Sequence, residues 1–252
     1  MNSSRITRRS LIINGGVAAG AGLLLAACGQ ESGLARIGDA PATTALPTAN
    51  VSDVVLLRTA QSVEELALKA LSDSTITGKA SDKSKAAIAI FTAGHEANVS
   101  KLSALVAARG GQDVTEANTK MVQNYLDTAV ALIKDSDDAE TDVNVFLGAL
   151  EALVAGTYQA FVGWTNEAAL RADLMTLAVN PSRYSAAAAQ LVRGGTKGIV
   201  PALDDAGNAL VCTLPNAFGQ LSGFDASLGK PNDAGVKASV SMETPSLNSL
   251  EY

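Results

Sequence analysis

Histidine is nearly absent from this chain: 252 residues hold one, His95. A single imidazole excludes the multi-histidine metal centres and leaves any metal site to carboxylates with one nitrogen ligand at most. Cysteine is almost as scarce. Two residues, Cys28 and Cys212, are too few for a disulfide framework. The Gly-x-Ser-x-Gly elbow of serine hydrolases, the Walker phosphate loop and the dinucleotide fingerprint are all missing. Gly194-Gly195 before "TKGIV" is a helix stop rather than a phosphate loop. Lys and Arg form no cluster, and the formal charge of −6 repels nucleic acid and anionic lipid, so no nucleic-acid partner is expected.

What is present begins with the N-terminus. Arg5, Arg8 and Arg9 precede an apolar run from Leu11 to Ala27 that is loosened by Gly15, Gly16, Gly20 and Gly22. That order of charge, apolar run and small residues is the order of an export signal. The run ends in "LAAC", Leu25 to Cys28, which resembles a bacterial lipobox. The resemblance implies cleavage before Cys28 and lipidation of its thiol and amine by palmitate-type chains. The glycines and the placement of Cys28 argue against a plain membrane-spanning signal anchor. "TRRSLI" resembles a twin-arginine signal built on Arg8 and Arg9 and implies export of an already folded chain. Without these three arginines the 19 basic residues fall by three against 25 acidic ones, giving a formal charge of −9. The lipid at Cys28, not a basic patch, must then hold the protein to a membrane. With Cys28 acylated, Cys212 in "ALVCTLP" has no partner and reads as a small buried hydrophobe. Residues 29–52, rich in Ala, Pro, Thr, Gly and Ser, form a flexible tether with an r.m.s. span of roughly 25 Å.

Residues 53–193 carry the helical period. Ser52 or Asp53 caps a first helix to about Leu71, and the loop "SDSTITGKAS" follows. Ser81 or Asp82 caps a second, which stops at Gly110-Gly111 and aligns Ile88, Phe91, His95, Val99 and Leu102 on one face. A short extra helix covers about Asn118 to Lys134, and a third long one spans about Ala139 to Trp164. A fourth, from about Asn166 to Val192, is expected to kink or restart at Pro181, which lacks a backbone donor. Residues 194–252 lose the period and read as an irregular extension packed on the helices. In it, "NALVCTLP" and "GVKASVSM" are short extended segments able to make one hairpin. The expected fold is all-α, an up-down four-helix bundle. The acidic turn with Asp135, Asp137, Asp138, Glu140 and Asp142 matches the positive end of the third helix, with loose calcium binding as the alternative.

"LLRTAQSVEELALKAL", "IFTAGHEANVSKLSALVAARGG" and "FLGALEALVAGTYQAFV" resemble the ferritin-like domain family of exported bacterial proteins, over roughly Asp53 to Gln190. In that fold one Glu from each of two helices and a Glu-x-x-His from each of the other two hold two irons, because positions i and i+3 share a helix face. Carried onto this chain, the resemblance puts carboxylates at Glu64 and Glu151 and leaves Glu65 outward. The second-helix motif falls on His95 and Asn98, the fourth-helix motif on Pro181 and Tyr184. Glu96 lies about 100° around the helix from His95 and cannot substitute. The resemblance therefore implies a degenerate di-iron site with two carboxylates and one imidazole, and no cofactor is expected. The alternatives for Glu64, His95 and Glu151 are a single iron or manganese ion and a buried polar cluster, with Tyr158 or Tyr184 donating to the carboxylates.

The resulting expectation is an exported lipoprotein on the outer face of the cytoplasmic membrane, or in the periplasm or outer membrane. It would act as a binding or structural module rather than an enzyme, and as a partner of a membrane-protein complex. The runner-up is a residual metalloprotein that handles iron or oxidants. A third reading has a small ligand in the vacated site.

Overall fold

A computed structural model describes residues 51–165, 167–194, 206–208 and 223–252. Arg8, Arg9, Cys28, the tether up to residue 50, and Cys212 with most of its extended segment lie outside the described residues.

The described chain is mostly helical, with one small sheet. Helix α1 (Asp53–Ser72) starts at Ser52, whose hydroxyl accepts from the Val55 N–H, and Asp53 adds negative charge at the positive helix end. The segment expected as a loop contains a short helix, α2 (Ser74–Lys79). The Asp73 carboxylate caps it by accepting from the N–H groups of Thr75 and Ile76, and Ile76 is buried. Helix α3 (Asp82–Ala107) is capped by Ser81. It closes on Gly110, whose φ of 72° is the left-handed conformation that glycine adopts without strain.

The short helix expected over Asn118 to Lys134 is three pieces. Asn118 caps α4 (Thr119–Met121), a π-helical segment covers Val122–Leu126, and α5 (Asp127–Lys134) completes the run. Helix α6 (Ala139–Trp164) is by length and composition apolar enough to cross a membrane, yet it is mostly buried, as the central helix of a folded domain is. Helix α7 (Ala168–Arg193) runs without interruption through Pro181. The restart considered there does not occur. The carbonyl of Leu177, which loses its usual donor to the proline ring, faces the side-chain amide of Asn98 on α3 at 3.4 Å.

The four long helices form a closed arrangement. Helix α1 packs on α3 and α6 on α7, while α3 also meets α7 and α1 meets α6. Leu56, Leu57, Leu66, Leu102, Phe146 and Leu150 fill the centre, and each such side chain contributes about 1.5–3 kcal/mol.

The mostly helical structure agrees with the all-α expectation, and the one hairpin allowed for in the extension is present. Strands β1 (Gly223–Leu228) and β2 (Ala238–Glu243) pair antiparallel, with Phe224 opposite Met242 and Ala226 opposite Val240. β2 falls in the expected "GVKASVSM" segment, but its partner is "GFDASL", which the sequence reading passed over. Alternate residues Phe224, Ala226, Leu228, Val240 and Met242 are buried, and β1 packs on α6. Asp142, itself buried, accepts from the Gly229 N–H at 2.7 Å and pairs with Lys237 at 2.6 Å. Asp137 pairs with Lys230 at 3.5 Å. Two acids of the turn considered for calcium thus have lysine partners from the hairpin. The C-terminal residues are stapled back onto α1. The Asn118 amide donates to the Ser249 carbonyl and the Glu251 carboxylate, and the Glu251 N–H donates to Thr59.

Candidate functional site

Three long helices aim polar side chains at one buried point. Glu64 lies on α1, His95 and Asn98 lie one turn apart on α3, and Glu151 and Tyr158 lie two turns apart on α6. The periodicity of each helix turns these positions inward with the apolar core residues around them. Glu64, His95 and Glu151 have no solvent exposure. Glu96, the neighbour of His95, is exposed.

The imidazole of His95 sits between the two carboxylates. Its Nδ1 is 2.5 Å from Oε2 of Glu64, and its Nε2 is 3.0 Å from Oε1 of Glu151. The second oxygen of Glu64 accepts from the Asn98 amide at 2.9 Å and from the Tyr158 hydroxyl. The Oε2 of Glu151 is buried and has no hydrogen-bond partner among the described residues. A neutral imidazole donates from one nitrogen only, whereas the protonated ring donates from both. Two carboxylate partners therefore select the imidazolium. Burial alone drives His95 towards neutrality, but the charges of Glu151 and Glu64 and their hydrogen bonds outweigh it and push its pKa up to about 10. Burial also raises Glu151, against the pull of His95, and raises the Tyr158 hydroxyl well above its ordinary value, with the Glu64 charge adding to it.

The two remaining positions of the resemblance behave differently. Pro181 is buried in α7 and contributes no polar atom to the cluster. Tyr184 stacks on Phe91, with ring centroids 4.4 Å apart and planes at 21°, and approaches His95 edge-on at 6.1 Å. Of the two tyrosines considered as donors, Tyr158 reaches a carboxylate. The roles of Asn98 were not foreseen. The Asn98 amide serves Glu64 and the carbonyl freed by Pro181 together. A missing backbone donor at Pro181 was the available signal, since an orphan carbonyl at Leu177 must find a partner somewhere.

Iron or manganese, the metals weighed for this site, can be tested against the donor set. A histidine ligand presents a lone pair to the ion, but both His95 nitrogens face carboxylate oxygens, an arrangement that suits the doubly donating protonated ring. The ring lies between the two Glu side chains, within 2.5 and 3.0 Å of their oxygens. Among the described residues no group of three or more His, Cys, Asp or Glu side chains is arranged to hold a metal. The residues do not fit a di-iron centre. What the cluster does chemically is bind charge to charge across three helices, with one carboxylate fully satisfied and the other half satisfied.

Comparison with known proteins finds no matching family model, no matching curated protein and no matching solved structure.

Proposed function

We propose that this chain is an exported lipoprotein, held to a membrane through lipid on Cys28, whose helical domain is a ferritin-like up-down four-helix bundle that has exchanged its di-iron centre for an internal ionic network. It then serves as a binding or structural module at the membrane surface, beside a membrane-protein complex. The observation behind this reading is the engagement of both His95 ring nitrogens by Glu64 and Glu151. A ring committed on both sides has no lone pair for a metal. Supporting it are the "LAAC" stretch ending at Cys28, the long tether and the acidic balance, which leaves lipid as the means of attachment.

Metal analysis of protein purified from its own membranes tests the central claim. The expected result is less than stoichiometric iron and manganese. One equivalent of either metal that disappears in His95→Ala overturns the reading. Incorporation of labelled palmitate, abolished in Cys28→Ala, is expected in the same preparation. Capture from membranes with a C-terminal tag identifies the complex it serves.

A further inference from the structure

We propose that the His95 imidazolium is the resident cation of the buried site: it fills the place between Glu64 and Glu151 and excludes divalent ions, and withdrawing the ring turns that place into a binding site for one hard divalent cation or one planar organic cation. The inference rests on the function proposed above and goes past it, because it assigns the charge that replaced the metal.

Three observations carry it. First, two carboxylates with no solvent exposure face opposite sides of one ring, at 2.5 and 3.0 Å. Buried carboxylates repel each other and demand a cation between them. No lysine or arginine pairs with either, so the ring is their only cationic partner among the described residues. Second, Oε2 of Glu151 is buried without a partner among the described residues. Removing the ring therefore leaves Oε2 of Glu64 and both oxygens of Glu151 as open acceptors around a void of ring size. Such carboxylate oxygens suit manganese, and a flat cation of imidazole shape suits the void itself. Third, the remaining oxygen of Glu64 is fixed by Asn98 and Tyr158, neither of which depends on His95 for its position in its helix. Glu64 is thus held in place when the ring is gone, and Glu151, whose side-chain partner among the described residues is His95, is left to turn onto the probe.

The experiment compares wild type with His95→Ala and His95→Gln, each titrated with Mn²⁺ alone and with imidazole alone and followed by calorimetry and thermal melting. The wild type is expected to bind neither and to keep its Tm. His95→Ala is expected to melt lower, to bind one equivalent of either probe, and to regain about 5 °C or more at saturation. His95→Gln retains the bulk of the side chain without the positive charge, and its Tm is expected to rise with Mn²⁺ only. If His95→Ala does not fold unaided, its refolding with Mn²⁺ or imidazole present, and not without them, is the expected result. Variants that respond to neither probe overturn this inference and leave the function proposed above intact. Metal found in the purified wild type overturns that function directly. One-to-one Mn²⁺ binding by metal-free wild type, as tight as in the variants, overturns the exclusion claimed for the ring.

Discussion

A methyl group added at Gly94 would collide with Tyr184, whose hydroxyl and two ring carbons all lie under 3.0 Å from the position it would take. Tyr184 cannot yield without leaving its stack on Phe91. Gly94→Ala is expected to cost about 1–3 kcal/mol in urea unfolding, and to cost much less in a Tyr184→Ala background. Asn98 is the second sensitive residue. Asn98→Ala strips a donor from the Glu64 carboxylate and from the Leu177 carbonyl, both inside the protein, and is expected to lose about 1–3 kcal/mol by the same measurement. The inward placement of His95 was legible from helical spacing, and that of Glu64 and Glu151 from the resemblance alone. Their meeting in a buried polar cluster was one of the alternatives the sequence offered, but the pairing within it was not legible. Which ring nitrogen meets which carboxylate depends on helix separation and rotation, and one sequence carries neither. Gly94 gave no signal, since the close approach it permits comes from a residue on another helix.

Helix α7 sets the example for elements. Pro181→Ala returns an N–H to the Leu177 carbonyl and so frees it from Asn98. Combined with Asn98→Ala, the loss is expected to be smaller than the sum of the single effects by at least about 0.5 kcal/mol, a coupling that a double-mutant cycle in urea reads directly. The hairpin offers a separate test. Lys237→Ala leaves Asp142, 1 % exposed, with the Gly229 N–H as its remaining partner. A loss of about 1–3 kcal/mol is expected, together with faster proteolysis between Gly229 and Lys237 under native conditions. Element starts were legible where a side chain writes them. Ser52 and Ser81 cap α1 and α3 as their sequences suggest. Asp73 is the same kind of signal, passed over because only six residues of helix follow it. The continuity of α7 was beyond sequence reading, since proline's local cost is offset by a side chain from α3. The π segment at Val122–Leu126 has no local mark at all.

Across the whole molecule the buried network ties stability to pH. The His95 ring titrates at 6.5 when unfolded and is pushed up to about 10 in the fold, its neighbouring carboxylates prevailing over burial. Below about 6.5 both states carry the proton and the full stabilisation is present. Above that value the unfolded chain releases it while the fold retains it, so stability falls until about pH 10. Glu151 acts in the same direction. Burial raises its carboxyl above the ordinary 4.5, so the fold binds that proton more tightly than the unfolded chain does, and rising pH costs stability. The Tm is thus expected to decline steadily from weakly acid solution to about pH 10, and His95→Gln is expected to flatten the decline above 6.5. Helix α6 bears on a different event, the export proposed above for this chain. It has the length and apolarity of a membrane anchor, but only while its neighbours are absent. A translocation channel that threads an extended chain meets those 26 residues naked and has reason to release them sideways into lipid. A carrier that moves the finished domain never encounters them. If the segment around Arg8 and Arg9 is the leader that the sequence resemblance implies, its exchange for one that directs threading is expected to leave the protein lodged in the bilayer at Ala139–Trp164, detectable as a fragment shielded from protease on both sides.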